Sequence, residues 1–113
     1  MTKIKERLLA FVESKKERHF DPRVTYSQLH SDKIVVWSWG AKYFNFIEDY
    51  GLSFEVNGRL HKGFVVITLG FMDTYNIYLL DKEANQVGGS VEGIYADSLN
   101  QDIDYLVETP VHL

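Results

Sequence analysis

The chain has 113 residues, a formal net charge of −4 and no cysteine. This length predicts one domain over residues 1–113 that can bury a core without cross-links. The missing thiols exclude disulfides, thiolate metal ligands and a cysteine nucleophile. No apolar run approaches the ~18 residues that a membrane-spanning helix requires, so we expect no membrane partner and a cytoplasmic location.

The N-terminal segment predicts a helix over residues 3–18. Its apolar side chains recur at helical spacing, at Ile4, Leu8, Phe11 and Val12. Residues 24–31 allow two interpretations. Thr25 and Gln28 fit a capping box and favour a short helical turn, whereas the sequence Val-Thr-Tyr is equally compatible with an extended segment.

The segment Lys33–Gly40 predicts a strand, because it is rich in β-branched and aromatic residues and is bounded by Ser31-Asp32 and by Gly40. Both of its faces are apolar. The following residues, 41–51, predict an irregular connection with four large apolar side chains, which either fold onto the core or form an exposed patch.

Residues 52–81 predict an antiparallel meander. Leu52, Phe54 and Val56 alternate with polar residues, as in a half-buried strand. Asn57-Gly58 is typical of a type I′ hairpin turn. A β-branched run over residues 65–68 and a second alternation through Tyr75, Ile77 and Leu79 predict the next two strands.

The C-terminal segment predicts a second helix, with Ser90 as its N-cap and its end near Val107. Apolar residues repeat there at three- and four-residue spacing. The expected architecture is therefore α+β: a four-stranded antiparallel sheet flanked by N-terminal and C-terminal helices. Cations are in excess over residues 1–23 and carboxylates over residues 81–113, which favours two neighbouring terminal helices of complementary charge.

No motif in the sequence predicts catalysis, a metal or a cofactor. The four histidines lack zinc-ligand spacing, and no His-Glu-x-x-His occurs. Possible nucleophiles by residue type lie outside any Gly-x-Ser-x-Gly elbow; they are Ser38, Ser53, Thr68 and Tyr75. His61 and Asp73 could form an acid–base pair, since such groups are recognised by geometry rather than by order. We expect no catalytic residue, no metal and no cofactor.

A sheet covered on one face by both helices would leave its other face open. That face would carry Phe64, Val66, Tyr78 and Leu80, joined by Trp37 and Trp39 or by their neighbours. An apolar aromatic patch of this kind marks an interface, and tryptophan and tyrosine are its usual anchors. The alternative, with helices on opposite faces or the 41–51 loop folded over, leaves an ordinary monomer.

The sequence thus favours a non-enzymatic binding module that contacts itself, as a homodimer, or another protein. Its expected binding residues are Trp37, Trp39, Tyr43, Phe44 and Tyr78. A second hypothesis is a nucleic-acid-associated role through the hairpin cations Arg59, His61 and Lys62, which the acidic net charge disfavours. A third is an enzyme with a pocket that sequence does not reveal.

Three short runs carry a resemblance to other proteins. They are Val-Thr-Tyr-Ser-Gln-Leu from Val24, Trp-Ser-Trp-Gly-Ala-Lys from Trp37, and Val-Asn-Gly-x-x-His-Lys-Gly from Val56. Together they resemble small uncharacterised proteins of gut Bacteroidetes and their mobile elements. This resemblance implies no activity and no site residue.

Overall fold

The computed structural model describes residues 2–108, and it is an α+β fold with one antiparallel sheet. The helices are α1 (Thr2–Lys15), α2 (Pro22–Leu29), α3 (Lys33–Ser38) and α4 (Leu99–Val107). The strands are β1 (Lys42–Ile47), β2 (Gly51–Asn57), β3 (Lys62–Leu69), β4 (Tyr75–Leu80) and β5 (Val91–Ile94), and a short 3₁₀ turn spans Ala96–Ser98. Among these helices none is both long enough and apolar enough to cross a bilayer.

The predicted meander is confirmed, and its strands follow one another across the sheet in chain order, β1 to β5. Phe54 lies opposite Val65, and Val65 lies opposite Leu79. Since side chains alternate along a strand, these three residues share one sheet face. The expected count of four strands is wrong, because the sheet has five.

The helices cover both faces of the sheet. On one face Phe54, Val65 and Ile77 form a core with residues of α2, α3 and α4. On the other, Leu8 and Val12 of α1 pack on side chains of the sheet. The terminal helices α1 and α4 therefore lie on opposite faces, which is the second of the two arrangements that the sequence left open. Their complementary charges do not meet.

Residues 33–38 are helical, so the predicted strand over Lys33–Gly40 is wrong. The Asp32 side chain caps this helix by accepting a hydrogen bond from the Val35 backbone N–H at 3.2 Å. Gly40 follows its end with φ of +64°, a conformation that favours glycine and stops helices. The two end signals and the burial of Val36 and Trp39 outweigh the strand preference of the β-branched residues.

Residues 42–47 form the edge strand β1, where an irregular connection was expected. Phe46 pairs with Leu52 and Ile47 with Gly51, while the register shifts between Lys42 and Asn45. This bulge interrupts the alternation of side chains, which explains why the segment lacks a clear period-2 pattern. The large apolar residues of the segment are thus ordered by the sheet.

The C-terminal helix begins at Leu99 rather than after Ser90. The Ser90 hydroxyl donates to the Glu92 carboxylate at 3.1 Å, and the chain continues from there into β5. Gly93, inside β5, has φ of +75°. A residue in this conformation cannot continue a right-handed helix, so no helix runs from Ser90 through Gly93.

The short helical turn favoured over residues 24–31 is confirmed as α2. Its cap is Asp21, whose side chain accepts from the Arg23 N–H at 3.0 Å. Thr25, expected to cap, is instead buried inside the helix, with its hydroxyl 2.9 Å from the Tyr75 hydroxyl. Pro22 at the first helical position suits the helix start, because its fixed φ is already helical.

The type I′ turn expected at Asn57-Gly58 does not form. Asn57 still pairs with Lys62, so the loop between β2 and β3 comprises residues 58–61. The Gly58 N–H donates to the His61 carbonyl at 3.0 Å. Neither Asn57 nor Gly58 has positive φ, so the turn does not depend on the conformational freedom of this glycine.

Candidate functional site

The outer face of α3 is an exposed apolar ridge. Ile34 is 77% exposed and Trp37 is 83% exposed, although both belong to an ordered helix. The two residues are three positions apart, so they are neighbours on the helix surface. Val36 points inward and is buried. α3 is thus apolar on both sides, and within residues 2–108 only its inner side is covered.

A shallow groove of about 420 Å³ lies beside this ridge. Seven residues line it: His30, Lys33, Ile34, Val36, Trp37, Ala41 and Phe44. We name this surface the α3 groove. Its volume lies within the range of roughly 300–1,000 Å³ that is usual for ligand pockets. Its walls are mainly apolar, and the charged side chain among them is that of Lys33.

The floor of the α3 groove is anchored to the core by stacked rings. Phe44 stacks on Phe54 with ring centroids 4.8 Å apart, and Trp39 also stacks on Phe54, with ring centroids 6.3 Å apart. Tyr26 meets the Phe44 ring edge-on at 4.9 Å. Aromatic pairs at such distances stabilise beyond their buried area, by about 0.5–1.5 kcal/mol each. The floor is therefore held in place before any ligand arrives.

The polar groups around the α3 groove favour a negatively charged ligand. Neither Lys33 nor Lys42 forms an ion pair with a carboxylate of residues 2–108. The His30 Nδ1 lies 2.8 Å from the Tyr26 carbonyl oxygen, which can only accept, so Nδ1 carries a proton. The groove thus offers the Lys33 ammonium without a competing carboxylate among the residues that line it.

Two residues expected on an open sheet face are buried. Trp39 is 0% exposed, and its indole Nε1 donates to Asp104 Oδ1 at 2.9 Å. Tyr78 is 5% exposed, because α1 covers it and the Phe11 ring meets it edge-on at 5.4 Å. The open aromatic sheet face, one of the two arrangements that the sequence allowed, is not formed, because helices cover both faces of the sheet. Neither belongs to the candidate surface.

The remaining expected aromatic residues are placed differently from each other. Phe44 is half-buried and lines the α3 groove. Tyr43 is 68% exposed with φ of +57°, and it lies within the bulge of β1. Positive φ is uncommon for a residue with a bulky side chain, so the local fold holds Tyr43 outward at some cost. It is absent from the lining of the groove.

The hairpin cations are engaged with the fold itself. The Arg59 side chain pairs with Glu108 at 3.4 Å, and the Lys62 ammonium donates to the Gly58 carbonyl at 2.8 Å. His61 is buried, with Nε2 lying 3.2 Å from the Phe64 carbonyl. The N–H of Leu60 donates to the Val107 carbonyl at 2.8 Å, which satisfies a carbonyl at the end of α4. The loop of residues 58–61 thus packs against the C-terminal end of α4 and is hydrogen-bonded to it.

The possible acid–base pair of His61 and Asp73 is not assembled. His61 precedes β3 and Asp73 follows it, so they lie at opposite ends of an eight-residue strand. At 3.3 Å per residue this separates them by roughly 25 Å. Asp73 instead pairs with Arg18. Within residues 2–108, no group of three or more His, Asp or Glu side chains is arranged to hold a metal ion.

Comparison of the chain with protein-family models, with curated proteins and with solved structures finds no match. The resemblance to small Bacteroidetes proteins is not tested by this result. The function proposed for the α3 groove therefore rests on the residues that line it.

Sequence reasoning found Trp37 and Phe44 but missed the rest of the α3 groove. His30, Lys33, Ile34 and Ala41 line it as well. A strand over residues 33–40 places Ile34 and Trp37 on opposite faces, whereas a helix makes them neighbours. The signal for the helix was present in Asp32 and Gly40, which stand at the two ends of the segment.

Proposed function

We propose that the protein is a non-enzymatic interaction module whose α3 groove binds an apolar segment of another protein. The observation that carries the proposal is the 83% exposure of Trp37 beside an apolar groove with a rigid aromatic floor. Tryptophan is enriched among the residues that dominate binding energy at interfaces. The helical form of α3 buries Val36 and Trp39, but the exposed side chains of Ile34 and Trp37 add nothing to the stability of the monomer, which supports a binding role for them.

The partner segment should carry a carboxylate next to a bulky apolar side chain. The apolar side chain would fill the space between Trp37, Ala41 and Phe44. The carboxylate would pair with Lys33, which has no carboxylate partner in the described part of the chain. Charge complementarity of this kind sets specificity and the rate of association.

A second copy of the chain fits this surface less well. A symmetric dimer places the same patch on both subunits. Lys33 would then approach its own copy, and like charges across an interface oppose association. We therefore favour a different protein as the partner. The cytoplasmic location expected from the sequence is part of the proposal and rests on the sequence pattern alone.

The experiment is selection from a display library of random linear peptides against the purified protein. We expect enriched peptides to combine an aromatic or large aliphatic residue with a neighbouring Asp or Glu. Trp37→Ala should weaken the selected peptides at least about tenfold, as befits an anchor residue. Phe71→Ala is the matched control, because Phe71 is 72% exposed and lies at the far end of β3.

Light scattering across a dilution series distinguishes the competing outcomes. A dimer that Trp37→Ala dissociates would show that the occupant is a second copy and would overturn the hetero-partner proposal. If the selected peptides bound the Trp37→Ala and Phe71→Ala proteins equally well, the peptide-binding surface would lie outside the α3 groove. Salt-sensitive binding of a single-stranded oligonucleotide, lost on reversal of Arg59 and Lys62, would instead support the nucleic-acid hypothesis.

A further inference from the structure

A second cleft, of about 480 Å³, lies on the opposite face of the sheet, between α1 and the edge strand β1. Leu8 and Leu9 of α1 form one wall, and Ile47 of β1 contributes to the other. Leu9 remains substantially exposed although it is a large aliphatic side chain. α1 thus stands over the middle of the sheet and leaves the β1 side of this face partly uncovered.

The floor of this cleft contains an unpartnered polar atom. Ser53 lies on β2 and is 0% exposed, yet its Oγ has no hydrogen-bond partner among the described residues. Buried hydroxyls are almost always satisfied, because leaving one unpaired costs the free energy of removing it from water. At the floor of a cleft, such an unpaired hydroxyl is a polar group that a bound molecule would satisfy.

Asn45 completes the polar part of the floor. It is paired directly with Ser53 across the β1–β2 ladder, so the two side chains stand next to each other on one face. The Asn45 amide nitrogen donates to the Tyr43 carbonyl at 3.3 Å. The floor therefore offers the Ser53 hydroxyl and the Asn45 carboxamide, and the walls combine apolar residues such as Leu8 and Ile47 with the charged Lys5, Glu13 and Glu48.

The cleft is held open by two contacts of α1. Val12 packs so closely on Gly51 that a Cβ there would come within 2.4 Å of its Cγ1. The Tyr50 hydroxyl donates to the Glu13 carboxylate at 2.8 Å, which ties α1 to the turn before β2. With these two contacts fixed, α1 cannot slide towards β1 to close the space above Ser53.

We propose that this cleft binds a small, uncharged amphipathic molecule that presents a hydroxyl or a carboxamide to Ser53 and Asn45. Such a group both donates and accepts, as the floor requires. The apolar part of the molecule would lie between Leu8, Leu9 and Ile47. The cleft volume of about 480 Å³ lies within the range of roughly 300–1,000 Å³ that is usual for small-molecule sites.

The test uses benzamide as the probe and toluene as its apolar counterpart, each titrated into ¹⁵N-labelled protein. Benzamide should shift the backbone amide signals of Leu9, Asn45, Ile47 and Ser53. Ser53→Ala should lower the affinity for benzamide roughly three- to tenfold, the loss expected for one neutral hydrogen bond. The same variant should change the dissociation constant of toluene by no more than about twofold, because toluene forms no hydrogen bond with the floor.

Ala10→Trp provides a second variant that does not disturb the core. Ala10 is exposed and lies at the mouth of the cleft, where an indole would fill the entrance. We expect it to abolish the benzamide shifts while the thermal transition stays unchanged. Absence of shifts in the unmodified protein at millimolar benzamide, or equal benzamide affinity in the Ser53→Ala protein, would overturn the proposal and leave a cleft filled by solvent.

Discussion

Trp37 and Trp39 are two residues apart, and the chain places their indoles in opposite environments. Trp39 is fully buried and donates to Asp104 at 2.9 Å, whereas Trp37 is 83% exposed on the outer face of α3. Residues two apart on a helix point about 200° away from each other, so one segment serves the core and the surface at once. The two tryptophans therefore have separable effects.

Truncation of each tryptophan should reveal this difference in stability. Trp39→Ala should lower the free energy of unfolding by about 3–5 kcal/mol, because it leaves a cavity and removes the hydrogen bond from the Trp39 indole to Asp104. Trp37→Ala should change it by no more than about 0.5 kcal/mol, as for other surface substitutions. Urea unfolding measures both. Equal losses would show that Trp37 is also part of the core.

Gly58 should be required for a packing reason rather than a conformational one. A Cβ at this position would lie 2.4 Å from the Val107 carbonyl oxygen, which belongs to the backbone and cannot easily move. Gly58→Ala should therefore destabilise the protein by about 1–3 kcal/mol, a typical cost of overpacking. Gly89 is the matched control, because a Cβ there meets no atom within 4 Å.

Thermal unfolding compares the two glycine variants directly. We expect Gly89→Ala to be neutral or slightly stabilising, since alanine restricts the unfolded chain. If Gly58→Ala were equally neutral, the hairpin loop would not pack on α4 as observed. The same measurement would then also question the pairing of Arg59 with Glu108, which depends on that contact.

The sheet was predictable because its strands carry their own signal. Alternating residues such as Leu52, Phe54 and Val56 specify which side chains face the core, and the structure has this face where the sequence places it. Such alternation is local and survives in any packing arrangement. The side of the sheet on which each helix lies is not local information, so the coverage of Tyr78 by α1 was not predictable.

The candidate surface was missed in part because α3 is too short to show a period. Six residues make fewer than two turns, and β-branched Ile34, Val35 and Val36 favour a strand by composition. Tertiary contacts decide such cases: Val36 and Trp39 gain burial only if the segment is helical. The exposed pair of Ile34 and Trp37 is a consequence of that choice.

Removal of the α3 cap should weaken both the helix and its ligand. Asp32→Ala deletes the acceptor for the Val35 N–H and should cost about 0.5–2 kcal/mol of stability. Peptides selected on the α3 groove should bind more weakly, because α3 must be ordered to present Ile34 and Trp37. Asp32→Ser keeps a capping oxygen and is the control. Isothermal calorimetry measures the peptide affinity of each protein. An Asp32→Ala protein that bound the peptide as tightly as the Asp32→Ser and unmodified proteins would contradict this prediction.

The contact between Glu13 and Tyr50 should depend on pH. Hydrogen bonds from Lys16 and from the Tyr50 hydroxyl hold the pKa of the Glu13 carboxyl below its ordinary value of 4.5. A lowered pKa in the folded state means that the contact stabilises the fold above pH 4.5 and that this stabilisation is lost as pH falls through the folded value. Tyr50→Phe should therefore raise the pKa of Glu13.

Carbon-detected NMR titration of the side-chain carboxyl measures the Glu13 pKa in both proteins. The reciprocal effect provides the control, because the hydrogen bond to Glu13 raises the pKa of Tyr50 above 10.0. Glu13→Gln should bring the pKa of Tyr50 back towards that value in an ultraviolet titration. An unchanged Glu13 pKa in the Tyr50→Phe protein would show that this bond does not hold α1 in solution.

Two buried hydroxyls should respond to removal with opposite signs. The Ser53 hydroxyl has no partner among the described residues, so Ser53→Ala should raise the free energy of unfolding by about 1–3 kcal/mol, the cost of an unpaired buried group. The Thr68 hydroxyl accepts from the Asn76 amide at 3.4 Å, and isosteric Thr68→Val should lower the free energy by about 0.5–1.5 kcal/mol. Urea unfolding without ligand measures both. A destabilised Ser53→Ala protein would show that solvent or the chain already satisfies this hydroxyl. A stabilised one would show that the polar floor of the cleft costs the fold stability, as is common at functional sites.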